Sequence, residues 1–132
     1  MNTELNFLRK EALQELETNI LPFWMQQCID TEHGGFIGRI RGDGSADPDA
    51  PKGAILNARI LWAFSAAFRV LGKKEYIETA TRAKREIIDR FYDKEYGGVF
   101  WSLDSQGRPL DTKKQIYALG FAIYGLSEYA HA

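Results

Sequence analysis

Two stretches of this chain spell the same turn 63 residues apart, and that repetition limits what the chain can fold into. Asp30-Thr31-Glu32-His33-Gly34-Gly35-Phe36 is answered by Asp93-Lys94-Glu95-Tyr96-Gly97-Gly98-Val99. Paired glycines permit the positive-φ backbone of a tight turn. The alternating residues that follow, Phe36 to Ile40 and Val99 to Leu103, suit a short β-hairpin. Each stretch then meets another turn, at Gly42-Asp43-Gly44-Ser45 and Asp104-Ser105-Gln106-Gly107. A period of this length is the mark of a fold assembled from copies of one unit.

The segments between the turns read as four helices of two kinds. The first runs from about Thr3 to about Ile29, with Thr3 as candidate cap and Pro22 as the point where it kinks or ends. Its apolar residues Leu5, Leu8, Ala12, Leu16 and Ile20 recur at three- and four-residue spacing, which predicts a half-buried amphipathic helix. The second, about Lys52 to Leu71, has almost no polar face: Ile55, Leu56, Ile60, Leu61, Trp62, Phe64 and Phe68 surround it. A helix apolar nearly all round must be covered on nearly every side. The third, about Lys74 to Tyr92, is amphipathic again through Ile77, Ala80, Ala83, Ile87 and Phe91. The fourth, about Lys114 to Ala130, is apolar all round. The order is outer, inner, outer, inner, and the unit of outer helix, Gly-Gly hairpin and inner helix occurs twice in residues 1–132. Two units cannot close a two-layer ring, so one inner flank is expected to face water unless more chain or another subunit covers it.

Composition removes several partners. The 17 basic and 18 acidic residues leave a net charge of −1, so neither nucleic acid nor an anionic membrane surface is an expected partner. The one cysteine, Cys28, excludes an internal disulfide and any multi-cysteine metal site. Met1 to Glu15 is charged throughout and lacks a hydrophobic signal core. No apolar run reaches the roughly 18 residues of a bilayer span without a charge. These features read as a soluble, cytoplasmic chain. Aromatic residues make up 13 % of it, enough for a core and, alternatively, for the aromatic faces of a carbohydrate pocket.

Particular runs carry a resemblance. Ile20-Leu21-Pro22-Phe23-Trp24, Gly34-Gly35-Phe36, Lys52-Gly53-Ala54-Ile55-Leu56-Asn57-Ala58-Arg59-Ile60-Leu61-Trp62, Tyr96-Gly97-Gly98-Val99-Phe100-Trp101 and Asp111-Thr112-Lys113-Lys114-Gln115-Ile116-Tyr117 resemble, in this order, the start of the N-acylglucosamine 2-epimerase family. With Phe121-Ala122-Ile123-Tyr124-Gly125-Leu126-Ser127 the likeness is greatest to the cellobiose 2-epimerase branch. The resemblance implies an all-α fold, the amino-terminal part of an (α/α)6 barrel whose pocket opens at one end of the inner ring. It implies a small-molecule sugar substrate, inversion at C2 of the reducing-end glucose of a β-1,4-linked disaccharide, and a cis-enediolate formed by proton abstraction. Two histidines act as base and acid in the family, and neither metal nor other cofactor is implied.

Two positions of this sequence match the family's sugar-binding residues. Arg59, in Asn57-Ala58-Arg59-Ile60-Leu61-Trp62, matches an arginine that contacts sugar oxygens and stabilises the enediolate. A guanidinium is permanently charged and offers a fork of donors to an oxyanion. The alternative is a core arginine paired with a carboxylate from a neighbouring helix, because an unpaired charge in an apolar helix is expensive. Tyr117 matches a pocket tyrosine, with core packing as its alternative. Trp62, three residues past Arg59, reads as packing, and Asp30 and Asp93 read as turn formers.

The catalytic histidines implied by the family lie beyond residue 132. The only histidines here, His33 in a Gly-Gly turn and His131 next to the last residue, have no placement that suits a general base. The segment alone is therefore expected to be inactive. Two rivals stand beside this reading. One is a fragment of an α/α-barrel glycoside hydrolase using loop acids such as Asp93, Glu95, Asp104 or Asp111. The other is a non-catalytic helical module that self-associates through its exposed inner helices.

Overall fold

The computed structural model describes residues 3–132; residues 1 and 2, at the head of the charged leading stretch, lie outside the described residues. The helices are α1 (Thr3–Glu15), α2 (Leu21–Gln26), α3 (Ala54–Leu71), α4 (Lys74–Glu86) and α5 (Ile116–His131). Thr3 is the first helical residue rather than a cap. α1 and α2 are one rod joined by a widened turn over Leu16–Ile20, in which the Leu21 N–H bonds to the Leu16 carbonyl five residues back. Pro22 falls in the first turn of α2, where a missing N–H matters least. The rod therefore passes the proline in a π-type turn instead of ending there. A matching turn over Ile87–Phe91 extends α4, with the Tyr92 N–H on the Ile87 carbonyl.

Both inner helices start two residues later than the sequence suggests. Lys52–Gly53 forms β1, which pairs antiparallel with β2 (Ser102–Leu103), and β2 pairs with β3 (Pro109–Asp111). The Ala54 N–H, first of α3, bonds to the Trp101 carbonyl at 3.1 Å, so the sheet fixes where α3 begins. Gly72 ends α3 in the left-handed conformation (φ 72°), its N–H on the Phe68 carbonyl, and α4 follows directly.

The core lies between α3, α4 and α5. Ala58, Leu61 and Phe64 of α3 meet Tyr76, Ala80, Ala83 and Ile87 on one side and Ala118 and Ala122 on the other. α3 and α5 approach closely at Gly125, where a Cβ would lie 2.6 Å from the Ala58 carbonyl oxygen. Larger residues there would push the inner helices apart. By length and composition α3 is apolar enough to cross a bilayer, yet Arg59 and Arg69 interrupt it and it is packed between α4 and α5.

Coverage is uneven. No residue of α1 is buried, and Leu5 and Leu8, expected on a half-buried face, stand exposed. On α5, Ile116 is 84 % exposed and Ile123 67 %. The apolar faces predicted by periodicity are present, but nothing among the described residues lies over the first turns of α1 or the outer flank of α5. This alternation of outer and inner helices is that of an α/α toroid, the amino-terminal part of an (α/α)6 barrel.

Candidate functional site

The site is built on the first turns of the two inner helices, next to the small sheet. Arg59 projects from the second turn of α3 and Tyr117 from the first turn of α5, and both line one open concavity of about 940 Å3. Trp62, Gly120, Phe121 and Tyr124 complete its wall. Arg59 is exposed and has no ion-pair partner among the described residues. Tyr117 is 65 % exposed and its ring packs edge-on against Phe121. A permanently charged fork of donors beside aromatic faces suits a polyhydroxylated ring: the guanidinium meets oxygens and the rings meet C–H faces.

Two lysine clamps hold the scaffold under this concavity. Asp30 accepts the N–H groups of Glu32 (3.0 Å) and His33 (2.8 Å) on one carboxylate oxygen and the Lys52 ammonium (2.7 Å) on the other. Asp93 repeats the pattern with the N–H groups of Glu95 and Tyr96 and the Lys114 ammonium. Lys52 leads directly into α3 and Lys114 into α5, so each turn ties down the start of an inner helix. Burial pushes the Asp30 carboxyl upward, but the His33 N–H, the Lys52 ammonium and the Glu32 N–H outweigh it and hold it below its ordinary value. The Lys114 ammonium, then the Tyr96 N–H, do the same for Asp93. In both cases the sequence reading of these aspartates as turn formers matches their bonding.

The remaining candidates do not join the site. His33 Nδ1 is 3.9 Å from the Asp30 carboxylate, which is already engaged by Lys52, and His131 is exposed in the last turn of α5. The loop acids are engaged as well: Asp104 with Arg108 at 2.8 Å and Asp111 with Lys113 at 3.0 Å. The Arg108 N–H and guanidinium lower the Asp104 carboxyl, and the Lys113 ammonium and N–H lower that of Asp111. A glycosidase acid needs the opposite shift. Burial pushes the Cys28 thiol up to about 11, which makes it an inert core group. Among the described residues no cluster of three or more His, Cys, Asp and Glu is placed to hold a metal ion.

The sequence assigns Trp62 to packing. It stacks on Tyr124 with ring centroids 5.0 Å apart and planes 9° from parallel, and so belongs to the wall of the concavity. Its spacing from Arg59 was a signal, but the partner ring lies 62 residues on and only the α3–α5 packing reveals it.

The fold defines a segment of an (α/α)6-barrel protein, and comparison with known proteins agrees. Residues 35–132 match the family model described as N-acylglucosamine 2-epimerase (GlcNAc 2-epimerase), and the chain belongs to that family. It is 63 % identical over 125 residues to cellobiose 2-epimerase of Bacteroides fragilis, covering 95 % of this chain and 32 % of that protein. It is 44 % identical over 122 residues to cellobiose 2-epimerase of Ruminococcus albus, covering 92 % of this chain and 31 % of that one. Its backbone superposes on the structure of cellobiose 2-epimerase from Bacillus thermoamylovorans with a TM-score of 0.93 at 42 % identity, covering 96 % of this chain and 32 % of that structure. The chain thus spans about a third of the length of the relatives it matches.

Proposed function

We propose that residues 1–132 form a partial α/α-barrel domain, two helical-hairpin repeats offset by about 63 residues, that opens a cytoplasmic sugar 2-epimerase. The substrate is the reducing-end glucose unit of a β-1,4-linked disaccharide, cellobiose giving glucosyl-mannose. The base removes the C2 proton of the ring-opened aldehyde, and the electron pair moves into a cis-enediolate. The proton then returns to the other face of C2. Arg59 donates hydrogen bonds to the enediolate oxygens, where negative charge develops, and Tyr117 contacts the sugar with its ring face and hydroxyl.

The observation that carries this reading is Arg59 itself: an exposed guanidinium, unpaired among the described residues, that shares an aromatic concavity with Tyr117. The general base and acid are histidines supplied beyond residue 132, which leaves the segment without proton transfer on its own. The exposed apolar residues of α1 and α5 support a further part of the reading, that the remainder of the barrel covers them.

Replacing Arg59 with Ala in the native gene product is expected to lower turnover of cellobiose by 10²-fold or more, roughly 3 kcal/mol of transition-state stabilisation. The check is kcat alongside Tm. A folded variant with wild-type turnover removes Arg59 from the site.

A further inference from the structure

A ladder of four aromatic rings crosses the face shared by α3 and α5. Trp62 stacks on Tyr124, Tyr124 meets Phe121 edge-on at 6.1 Å, and Phe121 meets Tyr117 edge-on at 5.0 Å. Stacked and edge-to-face pairs are both attractive arrangements, so the ladder links each ring's position to the next. Of the four rings Phe121 packs against the core, while Trp62, Tyr117 and Tyr124 lie outside it. The buried contact between the two helices is made by Ala58, Leu61, Ala118, Ala122 and Gly125, while Tyr117 and Tyr124 are exposed and Trp62 is half-buried. The ladder lies on the concavity side of that contact.

Its geometry ties it to the two sugar-facing residues. Trp62 is three residues beyond Arg59, so it lies on a neighbouring face about 4.5 Å farther along α3 from the sheet. Tyr124 lies about 10 Å farther along α5 than Tyr117. The Trp62–Tyr124 stack therefore lines the part of the concavity farther from the sheet than either Arg59 or Tyr117.

We propose that Trp62 is a positioning residue of the sugar site: its stack with Tyr124 forms the wall of the concavity beyond Arg59 and, through Phe121, fixes the ring of Tyr117. That wall bounds the space in which the reducing-end ring rests against Arg59. This rests on the epimerase reading above and adds a residue to it.

The test uses the native gene product with cellobiose, comparing kcat, KM and Tm for Trp62→Phe, Trp62→Ala and Tyr124→Leu. Trp62→Phe keeps a ring in the stack and should stay within about threefold of wild-type KM. Trp62→Ala and Tyr124→Leu should each raise KM roughly tenfold, and the double variant should be little worse than either, because both remove one stack. Variants with a lowered Tm and wild-type KM would overturn the proposal, since packing alone then explains the ring. If Trp62→Ala fails to fold, Tyr124→Leu decides by the same KM criterion. A wild-type protein that leaves cellobiose unchanged removes the epimerase reading and this inference together; an active wild type with unaltered KM in the variants removes this inference alone.

Discussion

The Asp30–Gly35 turn and the Asp93–Gly98 turn have the same local chemistry and different surroundings. In each, an aspartate accepts two backbone N–H groups and a lysine, and two glycines take positive φ. The first is also gripped by the outer helix behind it. Arg82 donates to the carbonyls of Asp30 (2.6 Å) and Gly35 (2.9 Å), and Arg90 donates to the carbonyl of His33 (2.6 Å). Glu86 is buried against Gly35, and Lys52 is 1 % exposed. Among the described residues the second turn has no side chain bonded to its carbonyls, with Lys114 31 % exposed and Tyr96 open to solvent. A repeated turn thus supplies a repeated backbone shape and lysine clamp, whereas the arginine bonds to its carbonyls belong, among the described residues, to the first copy.

The largest contrast should come from the clamps. Lys52→Met leaves the Asp30 carboxylate and the Gly34 carbonyl without their ammonium in a buried setting, and should cost about 3 kcal/mol. Lys114→Met exposes a group that water can solvate, so thermal unfolding should show a clearly smaller loss. Equal losses would mean that burial does not distinguish the two turns.

Glycine substitution sharpens the same difference at smaller scale. Gly97→Ala meets open space and carries only the left-handed backbone penalty, about 1 kcal/mol. Gly35→Ala carries that penalty plus a Cβ placed 2.5 Å from the Glu86 Cδ, and Glu86 is itself boxed in, so about 2 kcal/mol or more is expected. Urea unfolding of the two variants gives the comparison directly. For the bulkier Gly97→Val, stability should fall more than activity, since that turn lies outside the concavity.

The smallest effect is electrostatic. Burial keeps the Glu86 carboxyl above its ordinary 4.5, despite Arg90, Lys52 and Arg82 nearby, and its Oε1 has no hydrogen-bond partner. An acid raised in the fold holds its proton more tightly there than in the unfolded chain, so stability falls as pH climbs from the unfolded value through the folded one. Asp30 and Asp93 behave oppositely: their contribution is full above the ordinary carboxylate range and is lost as pH drops through their lowered values. Glu86→Gln should therefore raise Tm by about 2 °C at pH 7 and by nothing at pH 4. A gain that is equal at both pH values contradicts the assignment.

These particulars also mark how far the sequence could be read. Periodicity located α3, α4 and α5 to within a residue or two because each packs by the pattern it displays. Both inner helices begin two residues later than their pattern for one reason: Lys52 and Lys114 have good helical propensity but stand outside the helices, held by aspartates 22 and 21 residues upstream. Pro22 was read as a kink or stop, whereas a widened turn absorbs it. The first helix was expected to be half-buried, and local pattern carries no word on whether a covering partner is at hand. At the site, the motif singles out Arg59 and Tyr117, while Trp62 reads as packing and only the α3–α5 contact shows its stack on Tyr124.

The most direct test of the central claim is the intact mass of the native gene product, followed by incubation with cellobiose and analysis of the sugars formed. The account predicts a mass well above 15.0 kDa together with appearance of the 2-epimer. A mass of 15.0 kDa with cellobiose unchanged would contradict it and leave the exposed faces of α1 and α5 to be covered by a binding partner.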